Sequence, residues 1–309
     1  MASRRGVDPD GREFMEIITK VARMQFVAEK LCAERRSIGF VQTMGALHEG
    51  HLTRVREARR MCDVVVVSIF VNPPPDASGQ ELTDHPRDLA RDADLLTPIG
   101  VDYVFAPSID DIFPSGFASL VRVTGLSDRL EGVGSPDHFD GVTTAMTILF
   151  NVIKPKFAFL GQRDAQQTIV IKRLVRDLHL PVEVVVVPVV REPDGLACSS
   201  RNRALTSGER QSALAISRSL RLAEELYDGG ERHAQKIIRQ MRKELDGESG
   251  LKLEYLAVTD LEQLEPVDDL NDHRRVLVSL AAYVGQNRLI DNTILSDDRQ
   301  RSKSRVTLW

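Results

Sequence analysis

Thr43-Met44-Gly45-Ala46-Leu47-His48-Glu49-Gly50-His51 is the stretch on which the reading of this chain turns. Ahead of it, Ile38 to Thr43 reads as a short buried strand. Behind it, His48 to Met61 reads as a helix with its arginines on the outer face. A strand that passes through glycine into a helix N-terminus presents backbone N–H groups that no intrahelical carbonyl satisfies, and these suit an anion. The two histidines stand at i and i+3 and so share one helical face. Gly50 between them leaves room for a nucleotide base against the backbone. Two imidazoles aimed at one point can donate to phosphate oxygens as charge develops in a transition state. Alone, the pair also fits surface histidines at a helix start, or half of a metal site. In the strand–glycine–helix context it points to nucleotide chemistry.

Outward from this stretch, strands and helices alternate. A helical pattern covers Arg12 to Ala33, with Phe14, Ile17, Ile18 and Val21 at helical spacing. Val64 to Val71 is a β-branched run bounded by Asp63 and Asn72-Pro73, which predicts a central parallel strand. Further helices are expected at Arg87–Ile99, Val142–Ile153 with Asp140 as N-cap, and from Asp164 to Leu178. Further strands are expected at Val101–Ala106, Phe157–Leu160 and Val182–Val187. This is the pattern of an α/β protein, a Rossmann-like doubly wound parallel sheet with helices on both faces. The character changes near Arg191-Glu192-Pro193-Asp194-Gly195, where Pro-Asp-Gly makes a turn. Two long helices follow, Ser207–Tyr227 and Glu231–Leu245, then strands at Lys252–Val258, Arg275–Ala282 and Leu289–Ile290. The expected organisation is a flexible N-terminus over 1–11, a nucleotide- and acid-binding domain over 12–189, a smaller C-terminal α+β lid domain over 190–296, and a flexible tail over 297–309.

The 309 residues fit two domains at roughly 100–200 residues each. Hydrophobic residues at 42% and charged residues at 28% exclude collagenous, coiled-coil and wholly disordered chains. The longest apolar run, Val64 to Val71, is far short of the roughly 18 residues of a membrane span. No apolar segment of a secretory leader follows Met1, so a cytoplasmic enzyme is expected. A net charge of −4 argues against nucleic acid as the main partner. Cys32, Cys62 and Cys198 are odd in number and lack metal-site spacing, which fits a reducing compartment; Cys198 reads as a small pocket-wall residue, not a nucleophile, and Cys32 and Cys62 as packed against helices.

A second motif, Ser199-Ser200-Arg201-Asn202, sets two hydroxyls beside a guanidinium, a polyphosphate clamp when it stands opposite a second anion site. Alone it reads as a helix cap with a solvated arginine. HxGH with a distant Ser/Arg clamp is the two-part signature of the class I synthetases and nucleotidylyltransferases. The chain has neither a Walker-type phosphate loop nor a GxGxxG turn, which argues against P-loop NTPases and ordinary dinucleotide dehydrogenases.

With Ser68-Ile69-Phe70-Val71-Asn72-Pro73, His85-Pro86-Arg87, Leu130-Glu131-Gly132, His138-Phe139-Asp140-Gly141-Val142, Gly161-Gln162-Arg163-Asp164-Ala165-Gln166-Gln167, Val190-Arg191-Glu192 and Arg288-Leu289-Ile290-Asp291-Asn292 added, the sequence over about residues 12–296 closely resembles the pantothenate synthetase (pantoate–β-alanine ligase) family. The resemblance implies an ATP-dependent, AMP-forming acid–amine ligase. A carboxylate, pantoate in the family, takes the α-phosphate of Mg-ATP to form an acyl-adenylate, and β-alanine then displaces AMP to form the amide. It implies His48, His51, Arg163, Ser199, Ser200 and Arg201 as catalytic residues. Met44, Gly45, Gly50, Gly161, Asp164 and Val190 would bind the nucleotide. Gln42, Asn72, Pro75, His138 and Gln167 would bind the acid. Mg²⁺ would be held mainly by the ATP phosphates. The partners implied are small-molecule acid and amine substrates and a second copy of the chain, with no nucleic acid and no membrane.

The sequence departs from the family pattern at four places. Gln42 replaces a proline, and Pro75 replaces an acid-binding glutamine in Asn72-Pro73-Pro74-Pro75. Arg163 replaces a phosphate-contacting lysine, and Ser135 with Asp137 replaces Arg-Pro-Gly. Neutral drift in a working pantoate enzyme is one account. A rebuilt acid pocket for another carboxylate or amine is the alternative. A nucleotidylyltransferase and a degenerate nucleotide-binding protein are the remaining rivals, and the intact motifs argue against both.

Overall fold

Six strands lie in one wholly parallel sheet: β1 (Glu16–Ile18), β2 (Ile38–Thr43), β3 (Val64–Ile69), β4 (Tyr103–Phe105), β5 (Phe157–Gly161) and β6 (Glu183–Val187), in spatial order β1-β4-β3-β2-β5-β6. The computed structural model describes residues 15–71, 88–135 and 137–297. Asn72, Pro75, the first eleven residues and the tail beyond Asp297 lie outside them.

The runs of valine in β3 and β6 are buried on both faces, as a parallel sheet requires. Alternation divides each strand between two cores. Phe40, Val64 and Val66 face α1 (Val21–Ala33), while Val41, Val65 and Val67 face α2 (Glu49–Met61) and α3 (Leu89–Leu96). A short helix, α4 (Ile109–Ile112), and a one-turn helix, α5 (Glu131–Gly134), precede α6 (His138–Ile153) and α7 (Ala165–Asp177), which cover the α1 face. The sheet is doubly wound, as expected.

Three readings need correction. The predicted Arg12–Ala33 helix is divided: Glu16–Ile18 is a strand, and the helix begins only at Val21. Pairing with β4 overrides the local helical spacing there, because Ile18 is buried by the sheet. Asp140 is not a cap. The α6 helix begins two residues earlier, and the Asp140 carboxylate is buried and paired with Arg122. Cys32, expected to pack against a helix, is exposed, whereas Cys62 is buried.

Beyond β6, α8 (Ser207–Asp228) and α9 (Ala234–Asp246) pack on an antiparallel sheet of β7 (Leu251–Asp260), β8 (Arg275–Val284) and β9 (Asn287–Ser296). The α8 helix opens with a capping box between Thr206 and Glu209. The last strand is longer than the Leu289–Ile290 read from the sequence, since every residue from Asn287 to Ser296 pairs with β8. Leu264 and Leu277 of this second layer reach into the core of the first, so the two layers share an apolar seam.

Strand order reverses between β2 and β5, which pair through Gly39–Phe157 and Phe40–Ala158. Open α/β sheets bind ligands at the carboxyl ends of the strands at such a switch point. Here those ends carry the HxGH turn and the Gly161–Asp164 turn. A third segment, Leu126–Gly134, is drawn to the site by Gln166, whose Nε2 donates to the carbonyls of Leu126 and Arg129 at 2.9 and 2.7 Å while its Oε1 accepts from Glu131 N at 3.0 Å. Gly132 closes this segment so tightly that a Cβ there would stand 1.7 Å from the Ser127 carbonyl oxygen. Gly132→Ala must therefore shift backbone, at a cost of about 1–3 kcal/mol. A lower urea midpoint than wild type is the expected reading.

Candidate active site

The HxGH turn is built from its neighbours inward. Thr43 Oγ1 donates to the Ser68 carbonyl at 2.7 Å and accepts from Gly45 N at 3.3 Å. Gly45 then takes φ +90°, a left-handed conformation that glycine enters without strain. Asp92, buried on α3, accepts the Leu47 amide at 2.9 Å. His48 is the N-cap of α2: its Nδ1 accepts from Gly50 N at 3.2 Å, and His51 Nδ1 accepts from His48 N at 3.3 Å. In a neutral ring an accepting Nδ1 leaves the proton on Nε2. The two ring centroids lie 4.0 Å apart, on one face as the spacing predicts.

One cleft joins His48, Gly50 and His51 to Gly161, Arg163 and Asp164, with Val187–Val190 and Cys198 as a further wall. Seven of the sequence-derived positions, Val190 among them, thus meet in one place. The Ser199–Asn202 segment is held against the HxGH turn from the other side. Arg203 donates to the Leu47 carbonyl at 3.0 Å, Ser199 Oγ accepts from Arg201 N at 3.2 Å, and Asn202 donates to Glu192 at 2.6 Å. Cys198 is a buried wall residue of the cleft, as expected, and burial pushes its thiol up.

Other expectations land differently. Met44 is exposed and lines a separate cleft with Ile69, Phe70 and Asp92 at the ends of β2 and β3. The space above Gly50, read as room for a base, is occupied at its nearest by the His48 ring, 3.0 Å from a Cβ built there, with Cys198 at 3.5 Å. Gln42 stands near the carboxyl end of β2, paired in register with Ser68. Gln167 is half-buried on the first turn of α7. His138 begins α6 with one side open to solvent; desolvation by the surrounding protein and the Arg288 guanidinium push its imidazole below the ordinary range.

The site is electropositive. Guanidinium groups of Arg54, Arg163, Arg201, Arg203 and Arg288 gather near Asp164 and Glu131. Arg163 Nε is buried with no hydrogen-bond partner. Burial first, then Arg163, Arg54 and Arg203, lower His48 from 6.5 to about 4. Burial and the negative charge of Asp164 raise Glu131, against Arg288, which donates to it at 3.3 Å. Such a field suits a polyanion in a partly desolvated cleft.

Sequence reasoning passes over two residues that the fold brings here. The helical pattern sets Arg54 on the outer face of α2, yet it lines the cleft. Asn292, quoted only within a motif, is buried on β9 and reaches across to the Gly161–Asp164 turn. Its Nδ2 donates to the carbonyls of Gln162 and Arg163, both at 2.9 Å, and its Oδ1 accepts from Gln162 Nε2 at 3.2 Å. Beside it, buried Asp291 pairs with Arg191 at 2.6 Å and accepts from Asn292 N at 2.8 Å. Only Arg288-Leu289-Ile290-Asp291-Asn292 itself, two polar residues inside an apolar strand, could have flagged this pair.

A parallel sheet whose switch point carries a histidine pair in a guanidinium-lined cleft suits an α/β enzyme that handles a nucleoside triphosphate. Comparison with known proteins narrows that class. The family model described as Pantoate-beta-alanine ligase matches residues 16–294. The pantothenate synthetase of Thermotoga petrophila is 49% identical over 281 residues, spanning 91% of this chain and all of that protein. The crystal structure of pantothenate synthetase from Thermus thermophilus superposes with a TM-score of 0.84 at 40% identity, covering 90% of this chain and 99% of that one. A Francisella tularensis pantoate–β-alanine ligase, complexed with β-γ ATP and β-alanine, superposes with a TM-score of 0.73 at 32% identity, covering 91% and 97%. The chain belongs to the pantoate–β-alanine ligase family, and it is an enzyme, a ligase.

Two outcomes follow from this geometry. In an NMR titration the His48 imidazole should protonate near pH 4 rather than near 6.5. The unfolded chain binds that proton first as pH falls, so this part of stability is present above about 6.5 and is lost on acidification through about 4. Removing the Asn292 carboxamide strands the Gln162 amide and two carbonyls, a cost of about 1–3 kcal/mol per unsatisfied buried group. Asn292→Ala should raise KM for ATP at least about tenfold; an unchanged KM would show that the turn holds itself.

Proposed function

We propose that this chain joins pantoate to β-alanine at the expense of ATP, releasing AMP and pyrophosphate. The observation that carries the reading is the paired histidines of the HxGH turn. Each Nδ1 is tied to backbone N–H, which directs both Nε2–H groups outward beside the helix N-terminus.

In the first step a carboxylate oxygen of pantoate attacks the α-phosphorus, the bond to the bridging oxygen breaks, and pyrophosphate leaves. In the second, the β-alanine amine attacks the acyl carbon of the adenylate, AMP leaves with the bonding pair, and the amine loses a proton. A free carboxylate resists an amine because its charge is delocalised, and adenylation supplies the leaving group. His48 and His51 donate to phosphate oxygens as charge builds. Arg163 and Arg201, with Ser199 and Ser200, hold the triphosphate. Gly45, Gly161, Asp164 and Val190 shape the nucleotide site, whereas Met44 lines the separate cleft at the ends of β2 and β3. Gln42, His138 and Gln167 serve the acid, together with Asn72 and Pro75. The low pKa of His48 supports a neutral donor that does not itself have to be charged near pH 7.

Mg²⁺ enters as part of the substrate. Among the described residues no group of three His, Cys, Asp or Glu is arranged to hold a metal ion. Carried mainly by the ATP phosphates, the ion would contribute charge neutralisation. A homodimer in the cytoplasm completes the reading. Among the described residues no helix is long and apolar enough to cross a membrane. A rebuilt pocket for another acid gains no support from the relatives named above, which are all pantothenate synthetases or pantoate–β-alanine ligases.

ATP–pyrophosphate exchange across a panel of acids tests this. Exchange with pantoate is expected; exchange with a different acid alone would replace the substrate, and none at all would remove the activity. His48→Ala and His51→Ala should each lower exchange by about 10²–10³-fold with folding retained.

A further inference from the structure

The α2 helix carries four arginines, and three are engaged away from the cleft: Arg56 pairs with Glu49, Arg59 with Asp102 and Arg60 with Glu57. Arg54 is different. It stands three residues after His51, so it shares that histidine's face about 4.5 Å further along the axis. Its guanidinium lines the cleft beside His48, Gly161, Arg163 and Asp164.

Its side chain passes over the end of β5: a Cβ built on Gly161 would stand 3.8 Å from Arg54 Cδ and 3.9 Å from Nε, ordinary van der Waals distances. A guanidinium has five N–H donors. The hydrogen bond that Arg54 makes among the described residues runs from Nη1 to the Gln42 carbonyl at a long 3.4 Å. No carboxylate of a described residue pairs with it within 4 Å, although Asp164 lies near enough to favour its charge. Arg163, a second cation, stands beside it. Polar groups drawn from water need partners, and these donors are turned toward a ligand cleft with acceptors in short supply.

We propose that Arg54 is a further nucleotide-binding residue, donating its guanidinium to an acceptor of the bound nucleoside triphosphate. This rests on the reading of the cleft as an ATP site. A phosphate oxygen and a ring nitrogen of the adenine share the chemistry required. The competing role is a strut that supports β2 through the Gln42 carbonyl.

The test uses full-length wild type, Arg54→Leu and Arg54→Lys. Initial rates give KM for ATP, GTP and pantoate; calorimetry gives the affinity for a non-hydrolysable ATP analogue; a thermal melt reports folding. Arg54→Leu should raise KM for ATP and weaken the analogue by about ten- to a hundred-fold, with KM for pantoate within about twofold. Arg54→Lys should recover part of the loss. Equal losses for ATP and GTP put the acceptor on the triphosphate, and a changed ATP-to-GTP ratio puts it on the base; either supports the proposal. Unchanged nucleotide affinity, or a lowered melting temperature with parallel rises in all KM values, would overturn it in favour of the strut. Wild type that binds the analogue but shows no exchange with pantoate would refute the assigned reaction, while the calorimetric comparison would still decide the role of Arg54.

Discussion

One carboxamide joins the two layers at the place where the chemistry is proposed. Asn292 sits on the antiparallel sheet, yet its donors and acceptor are all spent on the turn that ends β5. Its neighbour Asp291 is buried and neutralised by Arg191, at the start of the Arg191–Ala197 turn. Burying a carboxylate is costly unless it is paired, and burial does push Asp291 upward against the pull of Arg191. These contacts put the Gly161–Asp164 turn, the Ser199–Asn202 segment and β9 in one frame. A small shift of the second sheet is thereby felt at Arg163.

The site concentrates positive charge that the fold alone does not balance. Arg288 is matched by Glu254 and Glu131, and Arg122 by Asp140. Among the described residues, Arg54 makes one long hydrogen bond, to the Gln42 carbonyl, and Arg163 keeps a buried Nε without a partner. Structural ion pairs elsewhere are closed and local, so the contrast is informative: unsatisfied cation is held where a polyanionic substrate would supply the missing acceptors. Perturbed ionisation of His48 in the same cleft agrees with that division.

Much of the fold is legible in the sequence because its signals are local. Ile38–Thr43 has the bounds its pattern predicts, and the valine runs of β3 and β6 could hardly be anything but buried strands. The Pro193-Asp194-Gly195 turn has the positive φ at Gly195 that its composition implies. Errors arise where partners distant in sequence decide. Glu16–Ile18 is a strand by pairing with residues 103–105, and Asp140 is drawn into α6 by Arg122. At the cleft, residue types with a local motif stand out in the sequence, as at His48 and His51. Arg54 escapes notice because arginines four to a helix look like a solvated face, and Asn292 because its partners lie 129 and 130 positions away.

The strand order also dictates when the site can exist. On one side β2 meets β3, only a helix away in the chain, but on the other it must wait for β5 and the pairing of Gly39 with Phe157. Until then β2 has an open edge of unpaired backbone groups, the kind of surface that invites association with other chains. During synthesis the cleft between the HxGH turn and the Gly161–Asp164 turn is absent while more than half of the chain is already made. Asn292 arrives later still, near the end. Shortened nascent chains therefore expose β2 without gaining the cleft, and the last of the described strands is the one that ties it together.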